Sequence, residues 1–224
     1  MFNEISPRYD LLNRILSWGM DARWRRRMAR FLNNQPDQTV LDLATGTADV
    51  LLNLFEANPR VVRGVGIDLA EKMLEQGRLK ISRKGLADKI KLQHGDINHL
   101  PFLDQSFDCA TIAFGIRNVE EPKKVLAEMF RVLQPRGRAL ILEFSLSRAR
   151  PIRLLQLFYL RNVVPALGFL LSGHYRAYRY LNQTIEQFPC GKDFCAMLEQ
   201  AGFKHVKAHP LFLQTATIYQ GEKS

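Results

Sequence analysis

The sequence predicts an α/β fold: a mostly parallel, seven-stranded sheet ending in an antiparallel C-terminal hairpin, with a helical cover. Three observations predict it. Short β-branched runs alternate with helix-period stretches of about 10–15 residues. A turn of small residues follows the first run, where a strand hands over to a helix. After the last helix come two β runs, too close in sequence for a parallel crossover.

In order, residues 1–34 read as helical, with arginines spaced along one side of Trp18, Trp24, Met28 and Phe31. Pro36 breaks that pattern. Thr39–Ala44 is the first strand and Thr45-Gly46-Thr47-Ala48 its turn, before a helix near Asp49–Ala57. Val61–Ile67 is the second strand, ending at Asp68, and Ala70–Arg83 is a helix stopped by Gly85. The third, fourth and fifth strands are Ile90–His94, Phe107–Phe114 and Arg138–Phe144. Pro122–Leu133 is a helix and Pro135-x-Gly137 a turn. Lys192–Ala201 closes the helical set, and Val206–His209 with Thr215–Tyr219 forms the hairpin. The chain 1–224 reads as one domain, with 1–38 as a helical lid and 145–188 as an inserted helical cover facing substrate or membrane.

At 46% hydrophobic and 24% charged, the composition is globular and excludes a fibrous repeat or a disordered bulk. Cys109, Cys190 and Cys195 form no CxxC, which argues against a disulfide framework or zinc knuckle; the last two read as buried thiols. The five histidines are dispersed, so no metal is expected. The net charge of +10 is local: residues 144–185 carry six arginines and no acid, while 39–143 is nearly balanced. Such a face suits an anionic partner, a membrane headgroup surface or a nucleic-acid backbone. No window offers roughly eighteen uncharged apolar residues, and no signal peptide is visible. The expected location is cytoplasmic, with peripheral membrane attachment and a homodimer left open.

Four constellations carry chemistry. The turn after Val40-Leu-Asp42-Leu-Ala brings Gly46 and Thr47 to a helix start, where backbone can approach a ligand closely. Its glycine spacing fails the dinucleotide fingerprint, and Asp42 would repel a pyrophosphate. A sulfonium ligand bearing an ammonium group fits better. Asp68 lies 22 residues after Gly46, where a carboxylate can accept from ribose hydroxyls or simply cap a helix. Gly95-Asp96-Ile97 follows strand three and suits an adenine amine, or is a plain turn. Strand four runs out into Arg117 and Asn118, aimed where a co-substrate lies in an open α/β sheet. A solvated arginine and an Asn turn is the bland alternative.

Together these segments resemble a class I S-adenosylmethionine-dependent methyltransferase with a Rossmann-like sheet. The opening from Phe2-x-x-Ile-Ser through Tyr9-Asp10-Leu-Leu-Asn13 to Gly19, with Trp24-Arg25, is similar to that of the quinone C-methyltransferases. That family comprises demethylmenaquinone methyltransferase and the 2-polyprenyl-6-methoxy-1,4-benzoquinol methylase of ubiquinone synthesis. Phe107-Asp-x-x-Thr-Ile-x-Phe-Gly-x-Arg-Asn118 resembles its central motif. Glu128-x-x-Arg-Val-Leu-x-Pro-x-Gly137, Leu142-Glu-Phe-Ser145 and Tyr178-x-Tyr-Leu-x-x-Thr-Ile-x-x-Phe-Pro189 follow in the family's order.

The resemblance covers essentially the whole chain. It implies S-adenosylmethionine as co-substrate, held by Thr47, Asp68, Asp96 and Ile97, with Ala113 at a position often held by serine. Ala48 replaces the usual loop glycine, and Phe212–Tyr219 departs from the family's tail.

It further implies methylation of a reduced polyprenyl quinone ring, demethylmenaquinol to menaquinol or the benzoquinol counterpart. For that reaction Arg117 is the natural oxyanion stabiliser and Asn118 the orienting group. Asp96 and His174 are the available candidates for a base, and Tyr9, Asp10 and Asn13 for a lid over the site. The arginine-flanked apolar cover suits an anionic membrane and a prenyl tail. Nucleic acid is not expected as a partner. A methyltransferase for RNA or another small molecule, and a non-catalytic S-adenosylmethionine-binding scaffold, are the rivals.

Overall fold

The computed structural model describes residues 17–166 and 182–224. It opens with α1 (Asp21–Met28) and a 3₁₀ turn (Ala29–Phe31). Then follow β1 (Gln38–Leu43), α2 (Asp49–Ala57), β2 (Val61–Asp68), α3 (Glu71–Arg83), β3 (Ile90–His94) and β4 (Phe107–Ala113). A 3₁₀ turn (Ile116–Asn118) precedes α4 (Pro122–Val132) and β5 (Leu133–Phe144). Next, α5 (Arg150–Phe158) continues through a π-helical turn (Tyr159–Val163). The chain closes with a short helix over 182–187, termed α6, and with α7 (Lys192–Gln200), β6 (Lys204–Leu211) and β7 (Ala216–Glu222).

The strands order as β3-β2-β1-β4-β5-β7-β6. Pairs among β1 to β5 are parallel, and β7 pairs antiparallel with both β5 and β6, as the sequence predicts. Two-residue periodicity divides the core between the sheet faces. Leu140 and Leu142 of β5 pack with Trp24, Met28 and Leu51 on one face. Ile141, between them, packs with Leu41, Met129 and Phe194 on the other. Burial on both faces explains why these strands read as apolar runs rather than alternating ones.

Three local expectations are corrected. Residues 17–31 do not form one helix, because Trp18 (φ +54°) and Gly19 (φ +74°) are left-handed and interrupt it before Asp21. Trp18 is consequently exposed while Trp24 and Met28 are buried. The Pro135–Gly137 turn is absorbed into β5, whose register against β4 shifts between Phe107 and Cys109, with Arg136 at φ +66°. Cys190 and Cys195 are only half-buried; Cys109 alone is fully enclosed, and all three are free.

One close approach fixes the helix that flanks the crest of the sheet. A Cβ on Gly77 of α3 would come within 2.7 Å of Leu92 and 3.2 Å of the Thr47 backbone carbon. Gly77→Ala gains about 1 kcal/mol of helix propensity. Overpacking costs ~1–3 kcal/mol, so it wins and the variant should be less stable in urea unfolding. Equal or greater stability would show that α3 can back away from the loop.

Candidate cofactor and catalytic site

The predicted site residues within the described chain converge on the carboxyl ends of β1 to β4, where an open α/β sheet presents its crevice. After β1 the backbone turns sharply, with Ala44 (φ +49°), Gly46 (φ +55°) and Ala48 (φ +65°) all left-handed. Only Gly46 adopts that shape without strain. The other two are held by what surrounds them. Ala48 is fully buried and caps α2, so the Cβ that marks a departure from the family packs into the core.

Asp68 ties this loop to the next strand. Its carboxylate accepts from the Gly46 N–H at 2.8 Å and from the Ala70 N–H at 2.8 Å. The capping and ligand-binding readings of Asp68 are therefore compatible, because each carboxylate oxygen has a further lone pair. Burial pushes its carboxyl group above the ordinary range.

Asp42 sits deeper, with no exposed surface. Thr45 donates to one oxygen at 2.7 Å and Thr111 to the other at 2.6 Å. It braces the turn from below rather than facing open crevice. Burial pushes its carboxyl up to about 7. Thr47 also faces inward: its hydroxyl accepts from Lys80 Nζ at 2.6 Å, and the same ammonium bridges to Asp49 at 2.8 Å. Asp49 lies 3.9 Å from Arg25, which pairs with Asp21 at 2.5 Å, and Ser17 donates to Asp21 at 3.1 Å. A polar chain thus joins α1 to the loop. Sequence reading missed Lys80 and the approach of Arg25 to Asp49 because these partners are distant in the chain.

Past β3, Asp96 accepts from the Asn98 backbone N–H at 2.9 Å and from its amide at 2.8 Å. The Asn98 backbone N–H, with lesser help from the side-chain amide and His99, holds Asp96 below the usual carboxylate range. That geometry makes Asp96 a fixed acceptor and a poor base. Ile97 is buried beside it. Asn98 Oδ1 is buried and has no partner among the described residues. An unpaired acceptor there matches the exocyclic amine of adenine. With the carboxylates of Asp68 and Asp96, it makes this crest fit S-adenosylmethionine.

Beyond β4, Phe114 is left-handed (φ +57°) and leads into the turn that holds Arg117 and Asn118. The expectation of an arginine aimed into the crevice is corrected. The Arg117 side chain is 1% exposed, 2.6 Å from Glu143 and 2.8 Å from the Phe114 carbonyl, with its guanidinium 5.3 Å from the Phe144 ring centre. Glu143 is fully buried; burial pushes its carboxyl up and Arg117 draws it back down. Within this cluster Arg117 Nε has no partner among the described residues. Glu143 was visible in its motif, but a strand-end acid gives no sign of which cation it meets. Asn118 and Ala113 lie half-buried beside this cluster. Tyr9, Asp10, Asn13 and His174 lie outside the described residues, as do 1–16 of the expected lid and 167–181 of the expected cover.

Sheet order and crest define an S-adenosylmethionine-dependent methyltransferase fold. Solved structures with this fold include such a methyltransferase from Aquifex aeolicus, with a TM-score of 0.64 and 19% identity over 89% of each chain. Another, from Thermotoga maritima, has a TM-score of 0.68 and 16% identity over 100% of this chain and 98% of that one. The model of the ubiE/COQ5 methyltransferase family matches residues 1–223, and the chain belongs to that family. The ubiquinone/menaquinone biosynthesis C-methyltransferase UbiE of Geotalea daltonii is 44% identical over 223 residues, covering 100% of this chain and 94% of that protein. The demethylmenaquinone methyltransferase of Thermus thermophilus is 43% identical, with 100% of both chains covered.

Asp42 yields a pH signature. With its carboxyl raised from 3.8 to about 7, the folded protein keeps a proton that the unfolded chain releases. Its stability contribution is therefore full below pH 4 and lost as pH rises through 7. Urea unfolding from pH 5 to 6.5 should show Asp42→Asn removing a downward slope of up to ~1.4 kcal/mol per pH unit. Parallel slopes would mean that the carboxylate is ionised in the fold.

Proposed function

We propose that this chain transfers a methyl group from S-adenosylmethionine to a ring carbon of a reduced polyprenyl quinone precursor, taking demethylmenaquinol to menaquinol. The observation that carries the reading is a family match along 1–223, with 43% and 39% identity to proteins named demethylmenaquinone methyltransferase. The benzoquinol of ubiquinone synthesis is a second substrate reading, favoured by relatives whose name joins both pathways. The reading assigns no metal and no nucleic acid. It places the reaction at the cytoplasmic side of a membrane, since the substrate's tail leaves lipid at a cost of roughly 0.8 kcal/mol per CH₂.

S-adenosylmethionine, when bound, supplies the electrophilic methyl group. Asp68 would hold its ribose, and Asp96 with Asn98 its adenine, on a loop that Asp42 braces from beneath. Gly46 would leave room for backbone approach, and Ile97 and Ala113 would bound the same crevice. A hydroquinone that loses a phenolic proton becomes nucleophilic at the adjacent carbon. Arg117 is enclosed with Glu143, so its unpartnered Nε–H would meet the resulting oxyanion only where the bound ring displaces the side chains that cover it. Asn118 would orient the ring oxygen. Tyr9, Asp10 and Asn13 complete the reading as a lid, and His174 as the remaining candidate base.

Transfer of radiolabel from S-adenosylmethionine to lipid-soluble product tests the assignment, using reduced demethylmenaquinone and the reduced methoxy-benzoquinone precursor separately. The expected result is label in the naphthoquinol product; label in neither, with the cofactor bound, would sink the reading. Arg117→Lys should lower kcat by about 10²–10³ with little change in cofactor affinity, and lower the melting temperature modestly because the buried guanidinium also bonds Glu143 and the Phe114 carbonyl. A loss of stability equal to the loss of rate would instead make Arg117 purely structural.

A further inference from the structure

Beyond the crest, an apolar cavity opens between the end of β5, helix α5 and the turn joining β6 to β7. Its floor is Phe144, Leu146, Leu160 and Ile185, all buried. Its mouth is unusual. Four lining residues are more than half exposed, and all four are apolar: Trp18 (69%), Leu155 (66%), Phe212 (54%) and Leu213 (57%). Water leaves such a rim uncompensated, whereas an apolar phase would cover it.

The rim is built deliberately. Phe212, Leu213 and Gln214 are three consecutive left-handed residues (φ +29°, +50° and +63°), so the β6–β7 turn projects two large apolar side chains. Hydrogen bonds hold it there: Ser145 Oγ donates to the Gln214 carbonyl at 2.9 Å, and Gln156 Nε2 to the Leu213 carbonyl at 3.3 Å. On α5, Leu154 and Phe158 extend the same apolar surface outward from Leu155 at helical spacing, each at least 60% exposed.

The charge on α5 beside this surface is positive. Arg150 and Arg153 on α5 are exposed and form no salt bridge with a described residue; Glu186, already paired with Arg161, is the acid that Arg153 acts on. Helix α5 carries no acidic residue at all. An apolar protein partner would satisfy the rim but not the two exposed arginines of α5 beside it. A bilayer with anionic headgroups satisfies both, with acyl chains meeting the rim and headgroups meeting the arginines.

We propose that Trp18, the exposed face of α5 and the Phe212-Leu213 turn together form a docking surface for anionic lipid membrane, with the cavity mouth pressed against the acyl region. The docking rests on the polyprenyl-quinol reading only for what passes through the mouth: the substrate's tail enters the cavity from lipid without crossing water.

Cosedimentation of the full chain with phosphatidylglycerol and phosphatidylcholine vesicles tests it. The protein should bind the anionic vesicles, and Arg150→Gln/Arg153→Gln should weaken that binding roughly 25-fold. Leu154→Ser/Phe158→Ser, outside the cavity lining, should weaken binding to both vesicle types while leaving the melting temperature unchanged. Unaltered vesicle binding by both double variants would overturn the proposal. So would a dimer in light scattering that Leu154→Ser/Phe158→Ser converts to monomer, because a second copy would then cover the surface. Vesicle binding without label transfer to any quinol would leave docking standing and remove the substrate reading; label transfer in detergent without vesicle binding would do the reverse.

Discussion

The hydrogen bond from the Gly46 N–H to the Asp68 carboxylate is the constraint on which the rest of the site depends. It spans two neighbouring parallel strands, β1 and β2, at their carboxyl ends. One oxygen fixes the turn after β1 and the other starts the segment leading into α3. With that turn fixed, α2 begins where its unpaired N–H groups face the crevice, and Gly77 lets α3 close against the loop. Asp42 supports the same turn from the core through Thr45 and Thr111. Two acids at adjacent strand ends thus do complementary work, the lower one bracing the turn from the core and the upper one tying it to the start of α3.

A second buried polar unit sits on the other side of the crevice. Arg117 and Glu143 come from β4's outgoing turn and from β5, and their contact at 2.6 Å lies almost wholly out of solvent. Removing one partner of such a pair leaves a buried charge uncompensated, which costs about 3–5 kcal/mol. The pair therefore holds the β4–β5 edge of the crevice rigid. Phe114 and Phe144, whose rings are 4.5 Å apart, pack around it and exclude water. Arg25 reaches the same aromatic cluster from α1, with its guanidinium 5.4 Å from the Phe114 ring centre. The residues leading out of the N-terminal segment are in this way coupled to both halves of the site.

Much of this was legible in the chain. The strand and helix order, the antiparallel ending and the crest positions follow from periodicity and from small residues at strand ends. Those signals are local, since buried parallel strands read as apolar runs and their turns need glycine or alanine. Element ends moved because hydrogen bonding extends strands past their apolar stretch, by two residues at each end of β6, three at the end of β7 and five at the start of β5. The break at Trp18–Gly19 was not legible: an arginine-rich amphipathic pattern continues across it, and only the backbone shows the left-handed pair.

By itself the sequence determined the fold class, the family motifs and the set of carboxylates at the strand ends, because each depends on spacing within about thirty residues. The tertiary structure decided what those groups touch. It placed Asp42 under the loop instead of over it, turned Thr47 toward Lys80, and closed Arg117 onto Glu143. It also brought Trp18, α5 and the Phe212-Leu213 turn to one cavity mouth. Pairings across 26 to 33 residues or more are set by the order in which strands enter the sheet, and no local pattern encodes that order.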